Sequence, residues 1–160
     1  METLVRDAHA DAPPAVTMSI ALWFTAIGCG IAESLVHLLT PDPPAPAALA
    51  ARYLIYAALA LLVMALHSGR NAVRWAVAGL LGVIGTASLL VEPVRWLAAG
   101  GSIPDFLAAA TGSQLVIVTL RAVHVLAVAA ALVALFRPAA SRWFTRERPA
   151  GPTDRRPGPA

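Results

Sequence analysis

Four stretches of the chain stay apolar long enough to cross a bilayer: residues 16–39, 47–66, 75–97 and 113–136. A hydrocarbon core of about 30 Å requires roughly 20 apolar residues per helix, and each stretch meets or approaches that length. Polar interruptions are few. The first stretch carries Glu33 and His37, the second has Arg52 near its start, the third has Glu92, Pro93 and Arg95, and the fourth has Arg121 and His124. No stretch alternates with period two, and a membrane barrel needs many more segments. The pattern predicts an all-α fold, an integral membrane four-helix bundle.

The segments between the spans carry their own signals. Thr40, Pro41, Pro43, Pro44 and Pro46 predict a stiff first turn. Ser102, Ile103, Pro104 and Asp105 read as a helix start, with Gly112 the expected far cap, so a short interfacial helix is predicted in the third loop. The domain reading is an N-terminal tail over 1–15, a four-helix membrane domain over 16–144 with an interfacial C-terminal end, and a tail over 145–160. That last tail is rich in Arg and Pro, has nothing to bury, and is expected to be disordered.

Composition sharpens the picture. Of 160 residues, 58% are hydrophobic and 13% charged, with a mean hydropathy of +0.70. Soluble domains carry about 25% charged residues, so a soluble catalytic domain is excluded. No nucleophile and base stand at a recognisable spacing, so an enzyme is not expected. Every one of the 12 basic residues is arginine, and Ala and Pro abound, a bias expected of a GC-rich bacterial genome. Cys29 is the single cysteine, which excludes an intrachain disulfide and a CxxC pair. The first span is not expected to be a cleaved signal peptide, because Glu2, Asp7 and Asp11 outweigh Arg6 ahead of it and the apolar run exceeds a signal core.

Arginine placement sets the expected orientation. The loop between spans two and three holds Arg70 and Arg74, and the C-terminal segment holds Arg137, Arg142, Arg146, Arg148, Arg155 and Arg156. The opposite loops hold Asp42 and Asp105, with Arg52 and Arg95 at their edges. Both termini are therefore expected in the cytoplasm, in a multi-pass protein of a bacterial plasma membrane. Trp75, Trp96 and Trp143 fall where interfacial anchors belong. The tail carries six arginines against Glu147 and Asp154, which favours contact with anionic lipid. No folded reader or stacking platform accompanies those charges, so no nucleic-acid partner is expected.

The first span "VTMSIALWFTAIGCGIAESL", the loop "HSGRNAVRWAVAGLLGVIG" and the closing "VAAALVALFRPAASRWF" together resemble a group of small uncharacterised four-span integral membrane proteins common in actinobacteria. That group has a Gly-Arg pair shortly before Trp-Ala-Arg in its second loop. Gly69, Arg70, Arg74 and Trp75 match it here, with the order around Trp75 altered. Its last span ends in Phe-x-Pro-Ala-Ser and an aromatic pair. Phe136, Pro138, Ala139, Ser141, Trp143 and Phe144 match that, with Ala140 placed before the serine. The likeness covers most of residues 16–144 and implies a fold and a location, without an activity.

Charges inside a span cost about 2.5–3.5 kcal/mol each on insertion scales, so each marks a candidate site. At about 1.5 Å rise per residue, Glu33 falls roughly 8 Å outward of the middle of its span and Arg121 roughly 5 Å. A Glu33–Arg121 ion pair between the first and last spans is the expected contact. Glu92, roughly 9 Å outward, joins it if the third helix continues past Pro93, and is wet if the helix ends there. Two readings follow for the cluster of Glu33, Arg121, Glu92, His124 and His37. It is either a structural ion pair in an accessory bundle that packs with a membrane partner, or an anion or proton site in a small oligomeric transporter. His37, roughly 14 Å from the midplane, and the central His124 are at different levels, so no haem or metal cofactor is expected. Gly79, Gly82 and Gly85 in span three, and Ala26 with Gly30 in span one, predict close helix packing or a self-association face.

Overall fold

The computed structural model describes residues 12–41 and 43–145. The expectations for the N-terminal segment 1–11, for Asp42 and for the tail 146–160, with Arg146, Arg148, Arg155 and Arg156, lie outside the described residues. The chain is helical without a strand among the described residues. Four helices are long and apolar enough to cross a membrane, so this is a multi-pass membrane protein.

Helix α1 spans Pro14–Leu38 and α2 spans Pro46–Ser68. Each opens on a proline in its first turn, where the missing N–H costs nothing. The last turn of α2, Ala65–Ser68, tightens to a 3₁₀ turn and ends on Gly69 with φ 65. This left-handed position suits glycine alone, and a Cβ there would also stand 3.2 Å from the Trp143 indole nitrogen. Helix α3, Asn71–Ala98, follows at once. The short α4, Ile103–Ala109, is capped by Ser102, whose side chain accepts from the Asp105 N–H as the sequence predicts. Helix α5 spans Gly112–Leu135, and α6 spans Pro138–Thr145.

Three local features refine the expectation. Gly112 is the first residue of α5 instead of the far cap of α4, because Thr111 and Gln114 form a reciprocal capping box just before it. Helix α3 runs through Pro93 to Ala98, the continuing one of the two alternatives open at Glu92. The segment Ala78–Gly85 of α3 is a π-helix, a wider turn on which Gly79, Gly82 and Gly85 impose no side-chain clash. Of these glycines only Gly82 faces a neighbour, with Leu132 of α5 at 3.1 Å from where a Cβ would be; nothing lies within 4 Å at Gly79.

The principal pair is α1 against α5. Val16, Ile20, Trp23 and Ile27 meet Ala127, Val128, Ala131 and Leu135, and the small alanines let the backbones approach. Ser19, fully buried, donates its hydroxyl to the Ala131 carbonyl at 2.9 Å. Val63 and Leu66 of α2, Val77 and Leu81 of α3, and Ala140 and Phe144 of α6 complete the core. That core occupies one half of the bundle, here named the base, where α1 starts, α2 turns into α3 and α5 ends. In the far half, no residue of Thr86–Ala98 is buried, and the buried residues of α5 all fall between Ala127 and Leu135.

Candidate polar site

The far half holds the charged cluster that the span interruptions point to. Glu33 is buried on the core-facing stripe of α1, in line with Ala26 and Gly30. Arg121 reaches it from α5, donating Nε at 3.0 Å and Nη2 at 2.8 Å to the same oxygen, Oε1. This is charge-assisted but not the two-oxygen fork of the strongest arginine–carboxylate pairs. His37, one turn along α1, places Nε2 at 3.6 Å from that oxygen, an ion pair only when the imidazole is protonated. The Arg121 side chain is 34% exposed and that of Glu33 10%, so the cation has an open side and the carboxylate does not.

Helix α2 closes the opposite flank of α1. Ser34 is fully buried and donates to the Gly30 carbonyl at 2.9 Å, while Arg52 Nη1 donates to Ser34 Oγ at 3.4 Å. The Tyr56 ring lies on Gly30, where a Cβ would stand 2.7 Å from its hydroxyl. The small residue at 30 thus serves α2, and Arg52 reaches inward to α1 instead of only toward the interface.

Of the five sequence-predicted site residues, the structure joins Glu33, Arg121 and His37. His124 is half-buried, one turn from Arg121, and makes no hydrogen bond among the described residues. Glu92 is exposed on α3 and stays out of the cluster: the helix does continue past Pro93, but its far half is not packed against α1. Among the described residues, no three His, Cys, Asp or Glu side chains converge as a metal site would require. The arrangement can hold a proton or an anion and can fix two helices in register.

A second ionic group lies at the base, where sequence reasoning placed only orienting charges. Arg74 is 6% exposed. Its guanidinium carbon stands 4.1 Å from the centroid of the Phe136 ring and 5.5 Å from that of Phe144, and Nη2 donates to Ser141 Oγ at 2.9 Å. Nε is sealed from solvent without an acceptor among the described residues. The signal for this burial was the spacing Arg74, Val77, Ala78, Leu81, a core-facing helical stripe that begins earlier than the apolar run does. Comparison with protein-family models, curated proteins and solved structures finds no match to this chain.

Proposed function

We propose that this protein is a non-enzymatic accessory bundle of a bacterial plasma membrane, with both ends in the cytoplasm, and that it packs with a membrane partner along its far half. The single observation that carries this reading is the half-length core. Three of the four spans lack buried residues in their far halves, and along the α3 and α5 part of that surface lie Glu92, Arg95 and the partly exposed Arg121. Hydrocarbon is a poor neighbour for these groups, whereas a partner helix with polar side chains satisfies them. Arginine placement supports the orientation, and the resemblance to small four-span proteins supports the location.

A second reading, a small oligomeric transporter or channel-like protein, has its own support. Glu33 and Arg121 engage through one oxygen only, and the cation keeps an open side. A solute anion or a proton has a group to engage there. Four helices enclose little space, so this reading requires a second copy.

In-membrane crosslinking distinguishes the two. With Cys29→Ala as background, Val91→Cys and Val94→Cys place probes on the exposed far half of α3. A crosslink to one distinct membrane protein, at these positions and not at the exposed Leu61→Cys on α2, supports the accessory reading. Self-crosslinks, with a flux lost in Glu33→Gln and a fold retained, support transport. An uncrosslinked monomer at both α3 positions overturns both.

A further inference from the structure

The ionic residues of the described chain are segregated along the bundle. Glu33, Glu92 and Asp105 all belong to the far half, where Arg52, Arg95 and Arg121 stand with them. The base holds Arg70, Arg74, Arg137 and Arg142 with no acidic residue among those described. Surface arginines at one end of a membrane protein are common, but Arg74 is more than nine-tenths buried. A buried cation without a counter-charge is costly, and no carboxylate among the described residues pairs with it. The Phe136 face and the Ser141 hydroxyl offset part of that cost. They leave Nε orphaned and Nη1 without an acceptor among the described residues.

The surroundings complete a receptor for an anion. Arg70 precedes Arg74 by one turn and is the N-cap residue of α3 with no side-chain cap. The first two N–H groups of that helix, at Asn71 and Ala72, have no acceptor among the described residues, whereas those of Val73 and Arg74 bond the Arg70 carbonyl. Arg137 stands in the same relation to Ser141, whose N–H bonds the Arg137 carbonyl at 2.9 Å. The Arg74–Ser141 hydrogen bond therefore brings together two helix starts, each led by an arginine. Trp75, 60% exposed, meets Phe136 edge to face at 5.2 Å beside them, an aromatic belt of the kind found at headgroup level.

We infer that the base is a binding site for the phosphate of an anionic phospholipid headgroup. Arg74 is its fixed cation, Arg70 and Arg137 close on the phosphate, the α3 N–H groups face it, and the acyl chains run past Trp75. A soluble phosphate shares the charge chemistry but has no use for the adjoining aromatic belt, so a lipid is the occupant assigned. This inference does not depend on the accessory reading.

Native mass spectrometry of the full chain in non-ionic detergent tests it, with phosphatidylglycerol and phosphatidylcholine of matched acyl chains. The expected result is one retained phosphatidylglycerol, preferred over phosphatidylcholine by about tenfold or more. The pair Arg70→Gln with Arg137→Gln should abolish the preference while leaving Arg74 to hold α6. Arg142→Gln, which removes the same kind of charge from the other side of α6 beside Pro13 and Thr145, should leave it within about twofold. Equal retention of the two lipids overturns the proposal. So does a loss in Arg142→Gln as large as in the Arg70/Arg137 pair, which would mean diffuse attraction only. Displacement by millimolar inorganic phosphate would replace the lipid with a free anion and overturn it as well.

Discussion

Arg121 spends two N–H groups on one oxygen of Glu33, and that geometry decides what each partner is worth. Removing one member of a sealed ion pair costs about 3–5 kcal/mol, because the survivor is left buried and uncompensated. Arg121 is one-third exposed, so its survivor cost is lower. Glu33→Gln should destabilise the bundle by about 1 kcal/mol and Arg121→Gln, which strands the more buried carboxylate, by about 2 kcal/mol. Glu33→Leu combined with Arg121→Met should recover most of the loss, as thermal unfolding in detergent will show. Glycines give a sharper contrast. Gly30→Ala drives a methyl into the Tyr56 hydroxyl and should cost about 1–3 kcal/mol, whereas Gly79→Ala meets nothing within 4 Å and should be neutral or gain up to about 1 kcal/mol. The ion pair was legible in the sequence because helix rise alone puts Glu33 and Arg121 at matching depth. The different fates of Gly30 and Gly79 were not, since a small residue in a span does not say which neighbour it faces. Arg74 escaped because a charge near a span end reads as solvated, and only the start of α3 at Asn71 puts it on the core stripe.

Spans declare themselves through apolar length, whereas their ends and irregularities depend on single residues. All four membrane helices stood where the hydrophobic runs predict, and Ser102 with Pro104 marked α4. The π segment of α3 was hidden, because its three glycines also read as a packing stripe. The sequence leaves continuation through Pro93 open. Proline forfeits one hydrogen bond and disfavours helix before it, but an apolar surround leaves the remaining backbone no better partner than the helix itself. The two turns that reverse the chain make testable claims. Gly69→Ala forces a Cβ into φ 65 against Trp143 and should lower stability by about 1–2 kcal/mol, measured by the same unfolding assay. Thr111→Ala removes the acceptor for the Gln114 N–H and half of a capping box. It should cost about 1 kcal/mol, read as faster hydrogen exchange confined to the first turn of α5.

The whole molecule combines a tight apolar base with an open polar far half, and both features constrain how it sits in lipid. An even number of crossings puts both ends of the bundle on one side, so one polarity decides everything else. At the base, four arginines of the described chain face no acid, while the far half mixes three arginines with three acids. In the orientation we propose, retention of arginine on the cytoplasmic side during insertion turns the base inward. That orientation would also seat the buried Arg74 at the leaflet that carries anionic lipid, the counter-charge it lacks among the described residues. An impermeant maleimide should label Ser102→Cys on intact cells and should reach Thr145→Cys only after permeabilisation, again in a Cys29→Ala background. The reverse labelling would put the arginine-rich base outside, in an environment where its charge has no anionic leaflet to answer, and the depth argument for Glu33 and Arg121 would invert with it. Charge reversal gives the stronger form of the same test. Replacing Arg70, Arg137 and Arg142 with glutamate weakens the asymmetry without touching the apolar core, leaving Arg74 and the four arginines of the 146–160 tail, and a fraction of the population should then insert with Ser102→Cys protected. If labelling at Ser102→Cys does not change in that variant, orientation is set elsewhere in the chain and the base charges serve binding alone.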